Sequence, residues 1–197
     1  MEHSRRSAGF TIIELMIALT VAGVLLAIAT PGLRVFLQNG RLSSASNDLL
    51  RSFQVARTEA IKRQLNVVVC ASANPAATPP ACSYAAFNGW IVFEDTNSNW
   101  SVDAGEPIIE RHSLLDPSIT VKTDNEGIES YASTGFANPA GAHNPTHNIV
   151  ICDKRGNQVI GHTSVERAVL VTTTGRVRVS RLDTDVANAV SSTGGCP

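Results

Sequence analysis

From Leu15 to Leu33 the chain carries no charged residue at all. About 18 to 20 apolar residues suffice to cross a bilayer as a helix, so this run is long enough to do so. Whatever the rest of the chain folds into must hang from, or pack around, a segment that water rejects. A short basic leader with Arg5 and Arg6 precedes the run and ends at Gly9. One carboxylate, Glu14, stands five residues past that glycine. A charge at membrane depth costs on the order of a few kcal/mol and marks a functional residue by default.

One reading of this start is a secretory signal peptide with Arg5 and Arg6 as its basic region. Such a peptide has a shorter apolar stretch, about 7 to 15 residues, and a small-residue cleavage site after it. Here the small residue comes first, and a charge interrupts the apolar run near its beginning. The order favours a signal cut after Gly9 that keeps its apolar segment. The stretch Gly9-Phe10-Thr11-Ile12-Ile13-Glu14-Leu15 resembles the prepilin signature of type IV pilins and type II secretion pseudopilins. The resemblance implies cleavage between Gly9 and Phe10 by a prepilin peptidase, N-methylation of Phe10, and subunit assembly through Glu14. It also implies that Glu14 pairs with the N-terminal amine of a neighbouring subunit. The physics agrees, because burial of a carboxylate is tolerable when a cation partners it, and a freed Phe10 amine is such a cation. The expected organisation is a leader over 1–9, a transmembrane or filament-core helix over 10–33, and a periplasmic globular domain over 34–197. Arg5 and Arg6 keep the leader on the cytoplasmic side of the inner membrane.

Past Pro31-Gly32, which loosen a helix without having to end it, the apolar pattern resumes. Leu42, Ala45, Leu49, Phe53, Ala56 and Ala60 step by three or four residues and share one helical face. Arg41, Asp48, Arg51, Arg57, Glu59, Lys62 and Arg63 lie largely off it. An amphipathic helix over 34–65 therefore lays a stripe on the globular domain. Two unrelated helices are the competing reading, but no turn cluster beyond Pro31-Gly32 separates them. From Asn66 onward the period becomes two, and nine stretches read as strands: Asn66–Ala71, Gly89–Phe93, Ile108–Arg111, Ser118–Lys122, Ile128–Ala132, Asn148–Cys152, Gln158–Gly161, Ala168–Thr172 and Arg176–Arg181. The fold class is α+β, a long N-terminal helix packed on an antiparallel β-rich domain. The small polar segment 187–195 reads as a mobile tail, held only by Cys196.

Four cysteines, Cys70, Cys82, Cys152 and Cys196, form no CxxC. An even number in an exported chain reads as two disulfides. Of three possible connectivities the local one, Cys70–Cys82 with Cys152–Cys196, is preferred. A Pro/Ala loop over Asn74–Ala81 can return to Cys70, and a bridge at the penultimate residue would pin the tail.

Net charge is near zero, but its distribution is uneven. From Glu94 to Glu129 nine acidic residues face two basic ones, whereas from Asp153 to Arg181 six basic residues face two acidic ones. Within the basic region, Gly175-Arg176-Val177-Arg178-Val179-Ser180-Arg181 places Arg176 and Arg178 on one face of a strand, roughly 7 Å apart. Val177 and Val179 face the core. With Lys154, Arg155 and Arg167 in reach, such a strand could hold successive phosphates; an ordinary solvated face paired to Asp153, Glu166, Asp183 or Asp185 is the alternative. A second constellation, Asp95, Asn97, Asn99, Ser101, Asp103 and Glu106, occupies positions 1, 3, 5, 7, 9 and 12 of an EF-hand loop. Trp100 stands where that loop needs glycine, and strands flank it, so a polar hairpin loop is preferred over a calcium site. His147 and His162 read as polar caps or exposed residues. No cofactor, metal or enzymatic constellation is expected.

The order of Cys70…Cys82, Gly89-Trp90-Ile91-Val92-Phe93-Glu94-Asp95, Asp153-Lys154-Arg155-Gly156 and Gly175-Arg176-Val177-Arg178 resembles the FimT/FimU and type II secretion pseudopilin H branch of minor pilins. In FimT-type members a GRxR motif near the C-terminus is associated with DNA binding during natural transformation. That motif falls on Gly175, Arg176 and Arg178, with Arg155, Lys154 and Arg181 as further candidates. The expectation is a minor pilin that waits in the inner membrane, enters a type IV pilus with other major and minor pilins, and binds DNA at the cell surface. A structural minor pilin that primes assembly, and a minor pseudopilin H of a type II secretion system, are the alternatives.

Overall fold

The computed structural model describes residues 9–83, 86–112, 116–124, 127–137 and 147–196. The chain forms two compact units, Met1–Asn39 and Gly40–Pro197. Helix α1, Ile12–Arg63, begins in the first and ends in the second. Within the first unit its residues from Leu15 to Leu33 are exposed and uncharged, and the helix is long and apolar enough to cross a membrane. Pro31 sits inside α1 without ending it. The helix stops at Gln64, whose φ of 59° is left-handed, a common way for a helix to terminate.

Among the described residues nine strands follow, one at each place where the sequence pattern predicts one. They are β1 (Asn66–Ser72), β2 (Gly89–Asp95), β3 (Ile108–His112), β4 (Ile119–Thr123), β5 (Ile128–Tyr131), β6 (His147–Asp153), β7 (Val159–Ile160), β8 (Thr163–Val171) and β9 (Val177–Leu182). One sheet has the order β3-β2-β1-β5; the other has β4-β6-β8-β7, with β9 also paired to β8. All the pairings are antiparallel.

The expected stripe of α1 is buried from Leu42 to Ala60, joined by Ser46 and Ser52. It packs on Val67, Val69, Trp90, Val92 and Tyr131 of one sheet and on Ile149, Ile151, Val165, Val169 and Val171 of the other. Polar side chains fix the register. The Trp90 indole N–H donates to Ser52 Oγ at 2.8 Å, Ser52 donates to Glu110 at 3.2 Å, and His112 stacks on the Trp90 ring at 3.7 Å. His147, expected near the surface, is buried instead, with Nδ1 3.3 Å from Glu129 and Nε2 3.7 Å from Asp124. Burial pushes the Glu129 carboxyl above its usual range.

The strands are not half-exposed, as strict alternation would require. Strands β1, β2, β6 and β8 are buried on both faces along nearly their whole length. The outer face of the first sheet, Val68, Cys70, Ile91, Phe93 and Ile128, is covered by Cys82 and by Trp100 and Val102 of the β2–β3 loop. The outer face of the second, Val150 and Ala168, is covered by a helix that the sequence reading lacked. This helix, α2 (Asp183–Thr193), replaces the expected mobile tail. Val186, Ala189 and Val190 recur at helical spacing and dock on that face. Disulfides join Cys70 to Cys82 and Cys152 to Cys196, so the loop after β1 and the end of α2 are each bonded to the sheet they cover.

The β2–β3 loop satisfies its own polar groups. Asn97 and Asn99 donate to Asp103 at 2.8 and 2.7 Å, Thr96 donates to Glu106, and Asp95 accepts from the Asn99 and Trp100 backbone.

Truncating Phe53 to Ala, which is 2 % exposed against both sheets, should remove about 3 to 5 kcal/mol from the stability of the 40–197 unit. Urea unfolding followed by Trp fluorescence measures it, with the exposed Gln54→Ala expected to change stability by less than about 0.5 kcal/mol. Gly175 has φ +72°, and a Cβ there would overlap the Gly135 carbonyl oxygen. Gly175→Ala should therefore cost about 1 to 3 kcal/mol in the same assay.

Candidate functional site

The N-terminal motif is built by local hydrogen bonds. Thr11 precedes the first helical residue, Ile12, and Glu14 is the third residue of the helix. The Thr11 N–H and hydroxyl donate to Glu14 Oε2 at 3.0 and 2.8 Å, and the Glu14 N–H donates to Thr11 Oγ1 at 3.3 Å. This is a capping box, in which each residue satisfies a backbone donor of the other. The helix consequently starts two residues after Phe10. Gly9 and Phe10 lie outside it and are exposed, with Phe10 at 83 %. The sequence reading named Glu14 as an assembly residue but did not see that it also begins the helix, although Thr-x-x-Glu is a readable signature.

At the other end of the chain, β8 and β9 form a hairpin through a tight turn at Thr172–Gly175. The Thr172 N–H donates to the Arg176 carbonyl at 3.0 Å, and the Gly175 N–H to that of Thr172 at 2.8 Å. Arg57 of α1 reaches under the turn, donating to the Gly135 carbonyl at 2.9 Å and the Thr174 carbonyl at 3.2 Å. Val177 and Val179 pack on the main core, as their parity predicts. Arg176 and Arg178 are exposed. With Thr172, Thr174 and Val177 they line a cleft of about 330 Å³.

The two arginines differ in their partners. Arg178 donates to Asp185 of α2 at 2.7 Å, and Ser180 donates to the same carboxylate oxygen at 2.6 Å. These bonds, Arg178 first, hold the Asp185 carboxyl below its usual range, and Asp185 in turn raises Arg178. Among the described residues no ion pair engages Arg176.

The other basic candidates do not join this pair in one patch. Strand register sets Arg178 opposite Leu170 and Leu170 opposite Asn148. Lys154 lies six residues further along, roughly 20 Å away at about 3.3 Å per residue. Arg155 is held by Asp153 through bonds of 2.7 to 3.0 Å and is mostly covered. Arg167 is 2 % exposed and donates to the Val165 and Glu166 carbonyls and to Ser43 of α1. Burial, with Arg181 and Arg155 nearby, lowers it to about 10. Arg181 is exposed, on the opposite parity from Arg178. Charge counting along the sequence cannot see which cations pairing and burial remove.

Comparisons with known proteins agree at both ends of the chain. The prokaryotic N-terminal methylation motif matches residues 4–30, and the family model for type II transport protein GspH matches residues 45–183. Among solved structures, the type IV minor pilin FimU of Pseudomonas aeruginosa superposes with a TM-score of 0.52 at 17% identity, over 74% of this chain and 92% of that one. The minor pseudopilin EpsH of the type II secretion system of Vibrio cholerae is also found, with a TM-score of 0.47 at 10% identity, over 73% of this chain and 96% of that one. No curated protein sequence matches significantly. A capped apolar helix behind a methylation motif, and a two-sheet domain closed on the second half of that helix, fit these matches: the chain belongs to the family of type II transport protein GspH and has the type IV pilin fold.

Proposed function

We propose that this chain is a minor pilin of a type IV pilus that binds DNA through its β8–β9 hairpin during uptake in natural transformation. The observation that carries the reading is the exposure of Arg176 and Arg178 at one rigid turn, beside the hydroxyls of Thr172 and Thr174. Guanidiniums grip phosphate oxygens with paired N–H donors, and hydroxyls add positioning contacts to the backbone without reading sequence. Arg178 meets DNA by exchanging Asp185 for a phosphate, and an exposed ion pair is weak enough to exchange. Lys154 and Arg181 add long-range attraction rather than contacts in the same cleft. Binding of this kind is weakly sequence-selective and falls steeply with salt.

Before assembly the subunit rests in the inner membrane with residues 34–197 in the periplasm. A prepilin peptidase cuts at Gly9–Phe10, Phe10 is methylated, and Glu14 exchanges its cap for the Phe10 amine of a neighbouring pilin. The second reading, a pseudopilin of a type II secretion system, is favoured by the GspH match over residues 45–183. It predicts no DNA affinity and a complex with other pseudopilins.

Gel shifts with the 40–197 unit, in a salt series, distinguish the two. Arg176→Ala with Arg178→Ala should lower DNA affinity at least tenfold and reduce the salt slope by about two contacts' worth, with thermal stability nearly unchanged. Asp185→Asn should raise affinity several-fold, since it frees Arg178 and removes a repelling charge. Wild-type binding no tighter than the double variant would sink the DNA reading in favour of the secretion one. For Glu14 the informative pair is Glu14→Gln and Glu14→Ala. Glutamine can keep the capping box but has no charge for an amine. Both variants should be cleaved yet missing from sheared pili by immunoblot; normal incorporation of Glu14→Gln would leave Glu14 as a cap alone.

A further inference from the structure

Glu166 has no part in the reading above, and its environment is unusual. It lies on β8, fully buried, and neither carboxylate oxygen has a hydrogen-bond partner among the described residues. A buried polar group without a partner is strongly unfavourable and calls for an explanation. One of its oxygens and the two sulfurs of Cys152 and Cys196 all lie within 4.8 Å of one another. Cys152 is fully buried, whereas Cys196 is partly exposed.

Among the described residues no charged group neutralises Glu166. Asp153 at the end of β6 repels it, and Arg155 is bound to Asp153. Arg167 turns its guanidinium onto carbonyl oxygens and Ser43. On β9, Arg178 is paired to Asp185, and Arg181 acts on Arg167. From α2 come Asp183 and Asp185, both in its first turn and so far from Cys196. Burial, then the Asp153 charge, pushes the Glu166 carboxyl up.

We propose that Glu166 is the proton donor and acceptor for thiol–disulfide exchange at Cys152–Cys196. An incoming thiolate of a dithiol reductant attacks the sulfur of the partly exposed Cys196, forming a mixed disulfide and breaking the bond to Cys152. The electron pair leaves on Cys152, where a buried thiolate next to a carboxyl would be costly. Glu166 gives that sulfur its proton and becomes the carboxylate. The second thiol of the reductant then attacks the mixed disulfide, releasing Cys196 and the oxidised reductant. In the reverse direction, when an oxidised dithiol closes the bridge, the Glu166 carboxylate takes the Cys152 proton. The same group thus serves formation and opening of the clamp that holds α2 on its sheet.

The test uses the full-length chain in detergent micelles, with dithiothreitol as the reductant and alkylation mapped by mass spectrometry. Glu166→Gln should slow opening of Cys152–Cys196 about tenfold or more at neutral pH. It should also remove a break in the pH–rate profile that the wild type shows, because no titrating group remains beside Cys152. Opening of Cys70–Cys82 in the same molecules should keep its rate, which reports that the fold is intact. Glu166→Leu, which fills the site without a polar atom, should show the same slowing. Equal rates in the wild type and both variants would overturn the proposal, as would faster opening in either. Failure of both variants to fold would make Glu166 a structural residue and overturn it equally.

Discussion

One apolar stripe on α1, from Leu42 to Ala60, is the surface on which both sheets close. Its steps of three and four residues turn a helix surface into a strip wide enough for β1, β2 and β5 on one side and β6 and β8 on the other. Everything else follows from what that leaves uncovered. A sheet that packs one face on a helix still has a second face, and here the second faces are also apolar: Val68, Ile91 and Phe93 in one sheet, Val150 and Ala168 in the other. Each needs a cover. The covers are loops and a short helix, neither large enough to hold its place by buried area alone. The two disulfides fall where this weakness lies. Cys70–Cys82 fastens the loop after β1, and Cys152–Cys196 fastens the end of α2. Cross-links of this kind contribute roughly 2 to 4 kcal/mol each, comparable with the docking they secure.

The candidate DNA site inherits its rigidity from the same stripe. Arg57 lies just off the buried face of α1 and supports the β8–β9 turn through two carbonyl oxygens. Gly175 permits the turn to press on Gly135, an approach that any side chain would block. The arginines that follow therefore stand on a fixed platform rather than on a flexible loop. Long cationic side chains lose entropy on binding, and a fixed backbone leaves only the side chains to be ordered.

Much of this was legible in the sequence, and the parts that were not have physical reasons. The stripe was readable because burial of one helix face imposes a period of three to four on apolar residues, and the strands because short β-branched apolar runs stand between turn clusters. The Cys pairing was one preference among three possible connectivities, favoured by the short loop after Cys70 and the terminal place of Cys196, and it is the pairing the structure has. Helix α2 was hidden because its sequence offers only Val186, Ala189 and Val190 as a stripe among Ser, Thr, Asn and Asp, residues that favour turns in isolation. What makes it a helix is the apolar outer face of β6 and β8, which is a tertiary fact. The basic region misled for a related reason. Counting put six cations together, but the fold buries Arg167, gives Arg155 to Asp153, and sets Lys154 far along the sheet from Arg178.

Helix α2 then links the two features that the sequence left separate. Its first turn supplies Asp185, the counter-charge of Arg178, and the chain reaches Cys196 three residues after its last. The first turn of α2 is tied to β9 by Asp185, which accepts from both Arg178 and Ser180. Its middle is held on β6 and β8 by Val186, Ala189 and Val190, and its end by the Asn148–Ser192 bond and the Cys152–Cys196 bridge. The helix that covers the second sheet thus also sets how much positive charge the hairpin presents, because the carboxylate paired with Arg178 comes from it.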